Sequence, residues 1–218
     1  MDAERVSYYG PCDEAIQAMN RWNLEAFGRL KMASWDRINI IRTVVSVYRE
    51  SAMYARRRYR KVAYDSYIMM LMICGFDEEK AKKMARKAIT MPWVDEKLRQ
   101  TDYVTLYRFE SETERKAYRT AETLEVTENR DAEINKALRN WSQQLGQYAI
   151  NFTDYGVYKA LQDAGVDEVE WITMRDEKTC HDCGSLDGLE FSINEIPPKP
   201  HLGCRCRLRP ILGKKKWF

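Results

Sequence analysis

Histidine is nearly absent from this chain, with two in 218 residues. So few imidazoles leave little material for a Ser-His or Cys-His dyad. Long apolar runs are missing too: the nearest, Tyr67 to Cys74, falls far short of the roughly eighteen residues a membrane span needs. The opening Met1-Asp2-Ala3-Glu4-Arg5 carries no apolar stretch of the kind a secretory signal requires. A soluble intracellular chain with reduced thiols is therefore expected. The six prolines and ten glycines are few, and they thin out between Lys31 and Cys74, which points to long helices. The net charge of +3 is mild against a charged fraction of 32%. The length allows one domain, or one domain plus an extension, with a real core.

What the chain does have is concentrated. Cys180-His181-Asp182-Cys183 and His201-Leu202-Gly203-Cys204-Arg205-Cys206 place four of six cysteines and both histidines within 27 positions. A Cys-x-x-Cys turn brings two thiolates close enough to grip one ion, and a return segment about twenty residues later completes a tetrahedron. Borderline-soft Zn²⁺ prefers such donors, and a closed four-ligand site leaves no position for substrate. We therefore expect one structural zinc per chain, with Cys180, Cys183, His201, Cys204 and Cys206 as five donors for four positions. The alternation of Cys204, Cys206 and Leu208 with Arg205, Arg207 and Arg209 suggests a half-buried strand with both thiols inward. That favours the four cysteines, with His201 beside them or replacing one of the return pair. His181 lies inside the turn and is expected to point outward. Arg205, Arg207 and Lys178 are the cations expected to offset the thiolate charge. A disulfide is disfavoured in a reducing compartment. A redox role is disfavoured because Gly184-Ser185-Leu186-Asp187-Gly188 follows as a loop, not as the helix of a βαβ unit. Cys12 and Cys74, in apolar helical contexts, read as buried thiols.

The run Trp171-Ile172-Thr173-Met174-Arg175-Asp176-Glu177-Lys178-Thr179-Cys180, with Cys183, Leu186-Asp187-Gly188, Phe191, Pro197-Pro198 and Cys204-Arg205-Cys206, resembles a known signature. It is that of the tailed-phage minor head proteins, the head-morphogenesis family similar to the F protein of phage Mu. That family usually has Pro directly after the His; here Leu202 follows His201 and Pro200 precedes it. The stretch from Glu112 to Val166 is similar to the family's helical lead-in. The resemblance implies a low-copy component of the virion, in the head interior or at the portal vertex, present in host cytoplasm during assembly. Its implied partners are the portal protein and other capsid or scaffolding proteins, with non-specific contact to packaged DNA left open and no membrane. Some such proteins carry an extra toxin or enzyme domain; the dozen residues after Cys206 leave no room for one.

The fold class expected is mainly α, with a small α+β zinc-stapled C-terminal module of two or three short strands and a zinc knuckle. From Pro11 to Leu30 an amphipathic stripe runs through Ile16, Met19, Asn23, Phe27 and Leu30. Ser34 reads as an N-cap of a helix of up to about forty residues striped by Ile38, Ile41, Val45, Tyr48, Ala52 and Ala55, closed by a C′ glycine at Gly75. Asp77 caps a helix from Glu78 to about Ile89, which Met91-Pro92 breaks. Further helices are expected over Ser111 to Glu125 and Arg130 to Ala164. In the latter, Ile134, Leu138, Trp141, Leu145, Tyr148, Phe152 and Tyr155 form a 3.5-residue seam against the Ser111–Glu125 helix or the long one. A short strand through Val169, Trp171 and Thr173 then leads into the metal turn. The divisions are a helical arm over 1–108, a head-morphogenesis domain over 109–213, and a basic tail over 214–218.

Three functional classes follow. The first, carried by the resemblance, is a non-enzymatic minor head protein whose N-terminal arm reaches out to dock on the portal, with the run Arg56-Arg57-Arg58, Arg60 and Lys61 meeting acidic or phosphate groups. The second is a zinc-ribbon-like nucleic-acid-binding module. The third is a metal-dependent nuclease built on Asp176, Glu177, His181 and His201, which a metal saturated by four protein ligands argues against.

Overall fold

The computed structural model describes residues 3–33, 36–90 and 106–213. Four long helices make the body: α1 (Ala3–Lys31), α2 (Arg37–Ile73), α4 (Leu106–Val126) and α5 (Arg130–Asp163), with the short α3 (Glu78–Ala88) following α2. A three-stranded antiparallel sheet with order β2-β1-β3 follows: β1 (Glu168–Ile172), β2 (Glu190–Ser192) and β3 (Arg207–Pro210), with the single turn α6 (His181–Gly184) between β1 and β2. This is the helical body and small strand module expected from the pattern.

The helix limits follow from local chemistry. Asp36 caps α2, its carboxylate accepting from Asn39 N at 3.0 Å; the expected cap, Ser34, lies outside the described residues. Gly75 adopts φ 90° just past the end of α2, a left-handed position that glycine reaches without a Cβ penalty. Asp77 caps α3 through Lys80 N at 2.8 Å, and Asn129 caps α5 through Ala132 N at 3.2 Å. Gly165, at φ 67°, ends α5 as expected. Met91-Pro92, most of the stretch before Phe109, and the tail Lys214 to Phe218 lie outside the described residues.

The long helix does not project as a free arm. Its face of Val44, Val47, Tyr48, Ala55, Tyr59, Val62 and Tyr67 is buried, chiefly against α5, with α1 and α4 on its flanks. The aromatic seam of α5 therefore has α2 as its main partner. Tyr59 stacks on Phe152 with centroids 4.8 Å apart, and Phe109 of α4 sits edge-on to Tyr148 at 5.1 Å. Each such side chain contributes about 1.5–3 kcal/mol through burial, so apolar area dominates here. Polar ties fix the register: Trp141 Nε1 donates to Ser51 Oγ (2.8 Å), Ser51 donates to Asn23, and Asn23 Nδ2 donates to Ser142 Oγ (3.0 Å). At Gly156 the two helices touch backbone to backbone, since a Cβ there would lie 2.2 Å from the Ala63 carbonyl oxygen.

Ile38, on the outward part of the α2 stripe, is 68% exposed, and Leu138 and Tyr155 lie at the edge of the α5 seam. Both facts follow from a wide helix face meeting a narrower groove.

Candidate metal centre

The centre is assembled by three short segments. Cys180 is the N-cap of α6, and its Sγ accepts from Cys183 N at 3.4 Å, the bond that folds Cys-x-x-Cys into one turn. The loop leading in is held by Asp176, which accepts from Lys178 N (3.2 Å), Thr179 Oγ1 (3.3 Å) and Arg205 (2.8 Å). Asp187 ties its other side, accepting from Thr173 N and Arg175 Nε, each at 2.8 Å. Arg175 itself sits at φ 50°, a left-handed conformation uncommon outside glycine.

The return segment brings back the other donors. Cys183 Sγ lies 3.5 Å from Cys204 Sγ and 3.6 Å from His201 Nε2. Donor atoms of Cys180, Cys183 and His201 lie within 4.8 Å of one another, and so do those of Cys183, Cys204 and Cys206, so the two sets share Cys183. A tetrahedron with Zn–S bonds of about 2.3 Å has edges of roughly 3.8 Å, so these spacings suit one ion. The imidazole is suitably set: Nδ1 lies 3.3 Å from the Leu202 carbonyl, which only an N–H can satisfy, leaving Nε2 with its lone pair toward Cys183. The donor set therefore fits zinc. All five expected donors are brought together, and His181, its side chain 98% exposed, stands outside.

The strand expectation needs one correction. β3 begins at Arg207, so Cys204 and Cys206 precede it and do not share a pleated face, although both are buried. Hydrogen bonding from Cys206, reinforced by Lys199, holds Cys204 down at about 5, whereas Cys206 is pushed well above the usual thiol value by the same bond and by burial. Burial pushes Cys183 up to about 12, and the Cys183 backbone N–H lowers Cys180. Burial works to lower His201, but the Leu202 bond and nearby thiolates raise it overall.

Sequence reading missed the cation that matters most. Lys199, not Lys178, is buried beside the cysteines: its ammonium lies 3.3 Å from Asp154 of α5, donates to the Cys206 carbonyl, and sits 5.1 Å from the Trp171 ring centroid. Burial alone would lower Lys199, but Asp154 and the Cys204 thiolate raise it; burial carries Asp154 up to about 7 in spite of the lysine. The signal available was a lysine flanked by prolines, matched by an aspartate inside an aromatic seam. Further ties join the knuckle to the body. Tyr9 Oη donates to the Cys206 carbonyl (3.0 Å), Leu208 N donates to Tyr8 Oη (3.4 Å), and Gly203, at φ 75°, presses so close to Gln147 that a Cβ would lie 2.7 Å from its Cγ.

The arrangement offers little to either minor reading. Asp176 is occupied by Arg205, Glu177 and His181 face solvent, and His201 faces Cys183, so the four nuclease candidates do not converge. The arginines that suggested a nucleic-acid module are engaged within it: Arg175 with Asp187, Arg205 with Asp176, Arg209 with Glu170.

A family profile, "Phage Mu protein F like protein", matches residues 78–209, more than half of the chain. The chain belongs to this family. The match confirms the resemblance read from the cysteine motif, and it begins at α3, well before the division expected at residue 109. No curated protein and no solved structure matches the chain significantly. In this Mu F-like chain the matched stretch takes in α3, α4, α5 and the whole knuckle, ending within β3.

Proposed function

We propose that the chain is a minor head protein of a tailed phage: a non-enzymatic component of head assembly, placed in the virion at the portal or inner capsid, whose knuckle is closed by one structural zinc. The single observation that carries this reading is the family match, which runs from α3 through α4 and α5 into the knuckle. Cys180, Cys183, His201 and Cys204 are the ligands we assign, on the 3.6 and 3.5 Å approaches of His201 Nε2 and Cys204 Sγ to Cys183 Sγ, with Cys206 Sγ within 4.8 Å as the competing donor. Cys206 then packs beside Cys204 as a buried outer thiol. Zinc would supply a cross-link and no chemistry, since four protein donors leave no open position. The absence of convergence among Asp176, Glu177, His181 and His201 supports the non-enzymatic reading.

The partners we assign are the portal and other capsid or scaffold proteins. The test is assembly: procapsids assembled with and without the tagged chain, separated by sedimentation and probed for it and for portal. Co-sedimentation dependent on portal is the expected result; a chain that stays in the soluble fraction at all stages contradicts the reading.

A further inference from the structure

The helix α3 carries a feature that head-protein membership does not explain. Its sequence, Glu78 to Ala88, places Lys80, Lys83 and Lys87 at i, i+3 and i+7, one stripe on the helix surface, with Arg86 alongside. All four are exposed, while Ala81 and Ala85 bury the opposite side against α2. The helix has two acidic residues, Glu78 and Glu79, and both are already engaged by the remaining cation, Lys82, at 2.8 and 3.2 Å. Lys80 lies 4.7 Å from the Phe76 ring centroid, and none of Lys80, Lys83, Arg86 or Lys87 pairs with a carboxylate among the described residues. Other basic clusters are partly neutralised. In the run on α2, Arg56 pairs with Glu110, Lys61 pairs with Asp65 and Arg58 donates to Tyr54; around the knuckle three arginines are paired.

A bland account exists for part of this. Cations in a last turn are favoured by the helix dipole, which covers Arg86 and Lys87. It does not cover Lys80, which stands in the first turn where a positive charge is disfavoured, nor Lys83 in the middle.

We propose that the α3 stripe is a sequence-independent contact for the phosphate backbone of double-stranded DNA. From Lys80 to Lys87 the helix rises about 10 Å. One DNA strand presents a phosphate about every 3.4 Å of axis, so roughly three phosphates of one strand lie along that span, one for each lysine. The one aromatic beside the stripe, Phe76, is half-buried and covered by Lys80, and lysine grips as a point charge without reading base edges, which suits duplex backbone over single strands or specific sites. The choice of DNA over an acidic protein rests on the head-protein reading, since the interior of a phage head is filled with duplex.

The test uses the full zinc-loaded chain and a short random-sequence duplex, followed by fluorescence anisotropy across a salt series, with wild type set against Lys80→Gln/Lys83→Gln/Lys87→Gln. Glutamine has a helix propensity close to that of lysine, so α3 is retained, and circular dichroism and zinc content verify it. The expected result is salt-sensitive binding whose slope of log affinity against log salt falls by about 2.7 in the triple variant, with at least a tenfold loss of affinity at low salt. A control variant, Arg175→Gln/Arg209→Gln, leaves the slope unchanged. Duplex binding with the same slope in the triple variant overturns the proposal. So does displacement of DNA by polyglutamate at equal charge, which assigns the stripe to an acidic protein. Incorporation of wild type into procapsids is scored separately: its failure counts against the head-protein reading, while the salt slope alone decides the stripe.

Discussion

The helical body and the knuckle solve the same problem by different physics. In the body, α2 and α5 bury Tyr59, Trp141, Leu145, Tyr148 and Phe152 in one continuous core, where truncating a single side chain costs about 2–5 kcal/mol. In the knuckle, three strands of five, three and four residues add only a few side chains, Val169, Trp171 and Leu208 among them, to the edge of that core. They rely on discrete ties: the cysteine–histidine cluster, the Lys199–Asp154 pair, and tyrosines reaching over from α1. A distributed core degrades gradually, whereas a structure held by few ties fails when one is cut. The body is also what the knuckle leans on, so the first ninety residues are structural and their removal strips α5 of its main partner.

The sharpest way to break this contrast is at the metal. Structural zinc contributes about 10–16 kcal/mol in small modules. Cys183→Ser should therefore abolish retention of the one equivalent of zinc expected per chain, measured by elemental analysis, with helical circular dichroism largely kept. His201→Ala and Cys204→Ser should approach that loss, and Cys206→Ser should retain more. If Cys206→Ser loses zinc as Cys183→Ser does while His201→Ala retains it, the thiol-only set suggested by sequence alternation is the right one.

Next in size is the buried ion pair. Lys199→Met leaves the Asp154 carboxylate buried with no cation, a change that costs about 3–5 kcal/mol in comparable pairs. The double variant Lys199→Met/Asp154→Leu removes both charges and should recover most of the loss in a denaturant titration. Equal destabilisation in the single and double variants would mean that lysine packing, not charge, joins knuckle to body.

In the body the most sensitive point is Gly156. An added Cβ meets the Ala63 carbonyl, so α2 and α5 must part; overpacking of this kind costs about 1–3 kcal/mol. Gly156→Ala should lower Tm by several degrees while zinc content stays at wild-type level. Concurrent zinc loss would show that the two regions are less independent than described.

The smallest effect is expected at the surface pair Arg205–Asp176. Its hydrogen bond and charge hold the Asp176 carboxyl below the usual range, so its contribution is present above the ordinary carboxylate pKa and fades as pH falls through the lowered value. Arg205→Gln should shift Tm only slightly at pH 7, and the difference should vanish in acid. A shift independent of pH would mean that Arg205 acts through packing.

The contrast also explains what was legible in the sequence. Periodicity exposes distributed cores, so the α5 seam and the closing glycines Gly75 and Gly165 were readable, whereas the α2 stripe was right at Tyr48, Ala52 and Ala55 but missed the buried face of Ile40, Val44 and Val47 before them. The donors Cys180, Cys183, His201, Cys204 and Cys206 were readable as a cluster because zinc-binding residue types are rare. What could not be read was direction and long-range pairing. The α5 seam called for a partner helix but left the choice open between the Ser111–Glu125 helix and the long one, and Asp154 and Lys199, 45 positions apart, signal each other only by being charges in apolar or proline-rich surroundings. The loop chemistry that leaves Cys204 and Cys206 ahead of β3 was likewise hidden behind a regular alternation.

The central claim, resting on the proposed zinc, is that a metal at the cysteine–histidine cluster is needed to close the knuckle on the helical body. Amide hydrogen exchange of the full chain with and without a strong zinc chelator tests it most directly. The account predicts that protection collapses over 168–210 on chelation while α2 and α5 exchange as before. Unchanged protection in metal-free protein, with its thiols reduced, would contradict it.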